Sequence, residues 1–62
     1  MDRQKYIILK AIVPTREEIT MSAIKDEFDV DSQEALEMIN NLAQEGLIEF
    51  FAYDGTHFKV KK

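Results

Sequence analysis

The chain has no cysteine, so disulfide bonds and thiolate metal sites are excluded. It has one histidine, His57, which argues against a histidine-built metal site. Two glycines and one proline are too few for a disordered tail, and no linker, repeat or low-complexity segment interrupts the 62 residues. Unbroken apolar runs extend over only a few residues, far short of a membrane span, and no signal-peptide pattern is present. No glycine-rich phosphate loop and no metal-ligand spacing occurs. These absences predict one soluble, cytoplasmic domain over residues 1–62, with no cofactor, no metal and no membrane partner. At this length the core is small, near the lower limit for folding without covalent staples.

What charge there is falls unevenly. The net value of −4 combines an acidic middle with two mildly basic ends. Residues 1–13 carry +2 (Arg3, Lys5 and Lys10 against Asp2), and residues 50–62 carry +2 (Lys59, Lys61 and Lys62 against Asp54). Residues 14–49 carry −8, with only Arg16 and Lys25 against ten acids. That distribution bears on the choice of partner.

The strongest local signal lies between Asp31 and Ile48. Wound at about 100° per residue, Ala35, Ile39, Leu42 and Ala43 fall on one side, flanked by Leu36 and Met38. Gln33, Glu34, Glu37, Asn40, Asn41, Gln44 and Glu45 gather opposite. Asp31 is the expected N-cap, and Glu34 three residues on has the spacing of a capping box. Gly46 supplies the left-handed residue that ends the helix before Leu47 and Ile48. A helix over about 32–45 follows.

An earlier helix is expected over about 2–13, capped by Asp2 and stopped by Pro14, which pushes its predecessor away from helical angles. Its inward residues are expected to be Ile8, Leu9 and Ile12, with Tyr6 or Ile7 on the margin. Thr15 to Glu18 read as a charged surface loop, and Ile19 as a short extended residue. A second helix, about 20–28, is capped by Thr20 and buries Ile24 and Phe28, with Ala23 or Met21 beside them. Asp29 takes the turn, since acidic side chains tolerate left-handed angles better than most. Val30 plugs that turn, so the two helices form a short helix-turn-helix.

After Ile48 the period changes, and a hairpin over about 47–61 turns at Asp54-Gly55. A two-residue turn would pair Ala52 with His57. A three-residue loop, Tyr53-Asp54-Gly55, would pair Ala52 with Thr56, gather Ile48, Phe50, Phe58 and Val60 on one face, and set Glu49 opposite Lys59. The second register is preferred, because a slip of one residue strands the apolar set in water. Phe51 and His57 then face outward together, with Tyr53 at the tip.

The order helix, short strand, helix, turn, helix, hairpin resembles the winged helix-turn-helix superfamily. The residues that carry the resemblance are Ile8-Leu9-Lys10-Ala11-Ile12, Ile19-Thr20 and, most specifically, Leu42-Ala43-Gln44-Glu45-Gly46-Leu47-Ile48 at the joint between third helix and wing. The resemblance covers nearly the whole chain. It implies an α+β, mainly α fold: three helices and a C-terminal two-stranded β-hairpin wing. In such proteins the third helix enters the DNA major groove and the wing touches the backbone or minor groove. By position the reading residues would be Gln33, Glu34, Leu36, Glu37, Asn40 and Asn41, with Tyr53 to His57 at the wing.

The chemistry departs from that pattern. Affinity for a duplex comes mainly from cations that neutralise phosphates, whereas the third helix carries no lysine or arginine. Asn and Gln can read adenine edges and Glu can accept from cytosine, yet base reading presupposes docking, which carboxylates near phosphates oppose. With a Debye length of about 8 Å, distant lysines do not cancel those charges. The leading expectation is therefore a regulatory module that recognises a protein partner. Its candidate residues are Gln33, Glu34, Glu37, Asn40 and Asn41 on the helix and Phe51, Tyr53, His57 and Lys59 on the wing, aromatics being favoured interface anchors. The alternative is a DNA-binding transcriptional regulator using the same helix and wing, with a homodimer through Tyr6, Ile7 or Phe51 as a further option. Catalysis is not expected: His57 has no nucleophile near it in sequence, no acid pair reads as buried, and so small a domain has little room for a concave pocket.

Overall fold

Ser32–Gln44 forms the helix on which the rest packs. The computed structural model describes residues 1–50 and 57–61, with Phe50 described by its backbone alone. Among these are three α-helices and three strands: α1 (Arg3–Ile12), β1 (Glu18–Thr20), α2 (Met21–Phe28), α3 (Ser32–Gln44), β2 (Ile48–Phe50) and β3 (His57–Val60). The fold is α+β and mainly helical. No helix among the described residues is long and apolar enough to cross a membrane.

Local chemistry sets the helix limits. Asp2 accepts from the Gln4 and Lys5 amides at 3.0 and 3.3 Å, Thr20 from Ala23 at 3.0 Å, and Asp31 from Glu34 at 2.8 Å. Each thereby satisfies amides that the first turn leaves without a partner. α1 runs directly into a 3₁₀ turn, Val13–Thr15, that accommodates Pro14. α2 ends at Asp29 in the left-handed region (φ 53°). α3 ends in a Schellman motif, with Gly46 at φ 77°. There the Leu47 amide reaches the Leu42 carbonyl and the Gly46 amide that of Ala43, both at 3.0 Å.

The sheet is antiparallel, in the order β1-β3-β2. Ile48 pairs with Val60, Glu49 with Lys59 and Phe50 with Phe58, the register that the apolar pattern favours. The turn that would close this hairpin lies outside the described residues. The expected two-stranded wing acquires a third member: Ile19, read from sequence as a single extended residue, sits in a strand that pairs with Phe58. The physical reason is that β3 has two edges. β2 satisfies one, and Glu18–Thr20 takes up the other.

The core lies between α3 and the sheet. Ala35, Met38, Ile39 and Leu42 of α3, Phe58 and Val60 of β3, Ile19, Ile24, Phe28, Val30 and Ile48 are all buried. Each fully buried aliphatic or aromatic side chain contributes about 1.5–3 kcal/mol relative to an exposed one. Leu9 and Val13 reach the same core from the other side, with Tyr6 and Ile12 packed partly against it.

Here one expectation is corrected. Ile8 does not point inward; it is 53 % exposed, and Ile7 is 64 % exposed. The inward line of α1 runs through half-buried Tyr6 and buried Leu9 and continues to Val13 in the 3₁₀ turn, at i, i+3 and i+7. Ile8 stands about 100° from Leu9 around the helix, on the side away from that line. With so many isoleucines in ten residues, apolarity alone does not say which side is in.

Candidate interaction surface

Three sides of α3 have separate surroundings. The first is the core side just described. The second is a polar seam against α1, formed by Glu34, Glu37, Asn41 and Glu45, which recur at close to whole turns. The Glu34 Oε2 accepts the Asp2 backbone N–H at 3.0 Å, and the Glu37 carboxylate lies 3.5 Å from the Met1 α-ammonium. The Asn41 amide donates to the Glu37 carbonyl at 2.8 Å and approaches the Met1 sulfur at 3.7 Å. At the far end the Tyr6 hydroxyl donates to one oxygen of Glu45, and the Lys10 ammonium donates to the other at 2.5 Å.

This seam corrects the reading of Glu34. Asp31 performs its half of a capping box, but the Glu34 carboxylate is turned to the start of α1 and accepts the Asp2 amide instead. Capping-box spacing permits the return bond; a competing unpaired amide on a neighbouring helix draws the carboxylate away. The electrostatics at Glu45 follow from its donors. Hydrogen bonds from Lys10 and then from Tyr6 hold the carboxyl below its ordinary range, while burial and the Glu45 carboxylate push the Tyr6 hydroxyl well above its usual value.

The third side of α3 faces outward and carries Gln33, Leu36, Asn40 and Gln44, all exposed, with Glu37 at its edge. Leu36 is 46 % exposed. The helix supplies no cation to this side. The five helix residues singled out from sequence are therefore split: Gln33 and Asn40 face outward, Glu37 borders both sides, and Glu34 and Asn41 are half-buried in the seam.

In the sheet, His57 is half-buried in β3 opposite Thr20. Lys59 is exposed on the middle strand, with Glu18 across from it on one side and Glu49 on the other. Lys61 reaches Glu49 at 3.9 Å. Phe51 and Tyr53 lie outside the described residues. Sequence reasoning missed Asp2, Tyr6 and Lys10 as partners of α3, because nothing in local spacing links residues more than thirty positions apart. The charge contrast between the basic first segment and the acidic middle was the available signal.

No protein-family model matches the chain, and no curated protein or solved structure matches it either.

Proposed function

We propose that the chain is a small winged helix-turn-helix module, regulatory and non-enzymatic, that acts mainly by contacting another protein through the outward side of α3 and the wing. The fold reading is supported by the run α1, β1, α2, Asp29 turn, α3, β2, β3, and by β1 pairing with β3 at the base of the hairpin. One observation carries the choice of partner class: the outward side of α3 bears amides and a half-exposed leucine but no cation, and the wing's Lys59 lies between two glutamates. A duplex is held chiefly through phosphate-neutralising lysines and arginines, and among the described residues this surface offers none that is not matched by a carboxylate close by. Exposed apolar area framed by amides suits a protein surface.

A second reading, a DNA-binding regulator, draws on the seam. α1 engages the Glu34 and Glu45 carboxylates, so that the outward side is less acidic than the helix sequence suggests. Gln33, Asn40 and Gln44 carry side chains of the type that reads adenine edges. Fluorescence anisotropy against a random duplex at low salt separates the two. Under the protein-partner reading, binding is weaker than micromolar. Binding tighter than that, falling steeply with added salt, overturns it and installs the DNA reading.

A further inference from the structure

The side of α1 that the core does not use is largely apolar. Gln4, Ile7, Ile8 and Ala11 are all exposed and lie on the side opposite Leu9 and Val13. A helix at a small protein's surface ordinarily turns polar residues outward; this one presents two adjacent isoleucines. Cations border the stripe on both edges, Arg3 and Lys10 on one and Lys5 on the other. Lys10 is held by Glu45, whereas Arg3 and Lys5 form no ion pair among the described residues. Residues 3–13 contain no carboxylate that could offset these cations from within the helix. Beside the stripe a shallow groove between α1 and α3 is lined by Tyr6, Ile7 and Lys10 together with Asn41 and Glu45.

We propose that this side of α1 receives an amphipathic helical segment of a partner protein, apolar on one side and acidic along its edges. Charge selects the occupant. In an antiparallel twofold pairing of two α1 stripes, the edge bearing Arg3 and Lys10 runs along the same edge of the copy. In a parallel pairing it runs along the edge bearing Lys5. Either way Arg3 and Lys5, which have no ion-pair partner among the described residues, meet cations of the copy's α1 and no α1 carboxylate, and like charges facing each other at a rim disfavour association. A partner that brings carboxylates turns the same cations into matches. An anionic membrane fits less well, because a sheet of headgroups would also meet Glu37 and Glu45 beside the groove, whereas a single helix can set its carboxylates at the Arg3 and Lys5 edges alone. This surface is separate from the outward side of α3, so either assignment can fail without the other.

The test uses the whole ¹⁵N-labelled chain and two synthetic helical peptides with the same leucine face, one edged with glutamates and the other with lysines. The glutamate peptide is expected to shift the amides of residues 3–12 and to bind at least about tenfold tighter than the lysine peptide at low salt. Arg3→Glu combined with Lys5→Glu should reverse that preference. Ile7→Ser combined with Ile8→Ser should abolish binding while leaving the circular dichroism spectrum unchanged. Equal binding of both peptides, or shifts confined to α3, overturns the proposal. So do α1 shifts that appear with chain concentration alone, which identify a second copy as the occupant. Tighter binding to phosphatidylserine-containing vesicles than to either peptide overturns it in favour of a membrane surface.

Discussion

α1 and α3 look alike in sequence: each opens on a capping aspartate and carries a comparable share of apolar residues. They do different work. α3 puts Ala35, Met38, Ile39 and Leu42 entirely out of water, whereas within α1 only Leu9 is buried. α3 packs against both α2 and β2, so its apolar side is covered along its length. α1 lies against one side only, and its attachment to α3 is largely polar, through Glu34, Glu37 and Glu45. The difference teaches that apolar content measures how much of a helix could be buried, while the number of neighbours decides how much is.

The contrast can be broken or sharpened by substitution. The largest effect is expected for Leu42→Ala, about 2–5 kcal/mol from lost transfer energy and the cavity left behind, enough to unfold a marginal domain. An unchanged melting temperature would deny α3 its central place. Gly46→Val comes next. Open space surrounds the position, so the cost is backbone strain at φ 77°, about 1–2 kcal/mol for a side chain held in the left-handed region. Chemical denaturation would measure it.

Glu34→Ala distinguishes the bridge from the capping box. With the carboxylate spent on α1, hydrogen exchange should quicken at the Asp2 amide and the first turn of α1, at a cost of about 1 kcal/mol. Faster exchange at the start of α3 alone would restore the capping-box reading.

The Glu45 clamp makes α1 docking sensitive to acid. Its carboxyl titrates lower in the folded chain than in the unfolded one, so its stabilisation is fully present above the unfolded value near 4.5. That contribution is lost as pH falls through the lower folded value. Carboxyl chemical shifts followed by NMR should show the depressed titration, and Lys10→Ala should move it back up. The smallest effect is expected for Ile8→Ala. An exposed side chain away from special features changes stability by no more than about 0.5 kcal/mol, and a loss of several times that would put Ile8 back in the core.

Much of the fold was legible because its signals are local. Asp2, Thr20 and Asp31 cap helices wherever those helices end up packing, Asp29 and Gly46 take left-handed angles that few residues tolerate, and the alternation from Ile48 to Val60 admits one register that keeps its apolar set together. The placement of the candidate site was less legible. Glu34 and Asn41 could be assigned to a polar side of α3 from periodicity, yet periodicity does not say whether that side meets water or another helix.

By itself, then, the sequence determined which residues cap the three helices, which take the left-handed turns and that α3 carries no cation, since capping, turn chemistry and charge are properties of neighbouring residues. Only the tertiary structure decided that α1 buries Leu9 and leaves Ile7 and Ile8 exposed, that β1 joins the hairpin as a third strand, and that the segment from Met1 to Lys10 engages three carboxylates of α3. Those outcomes depend on groups distant in the chain competing for the same donors, edges and apolar surface, and no local pattern records which of them wins.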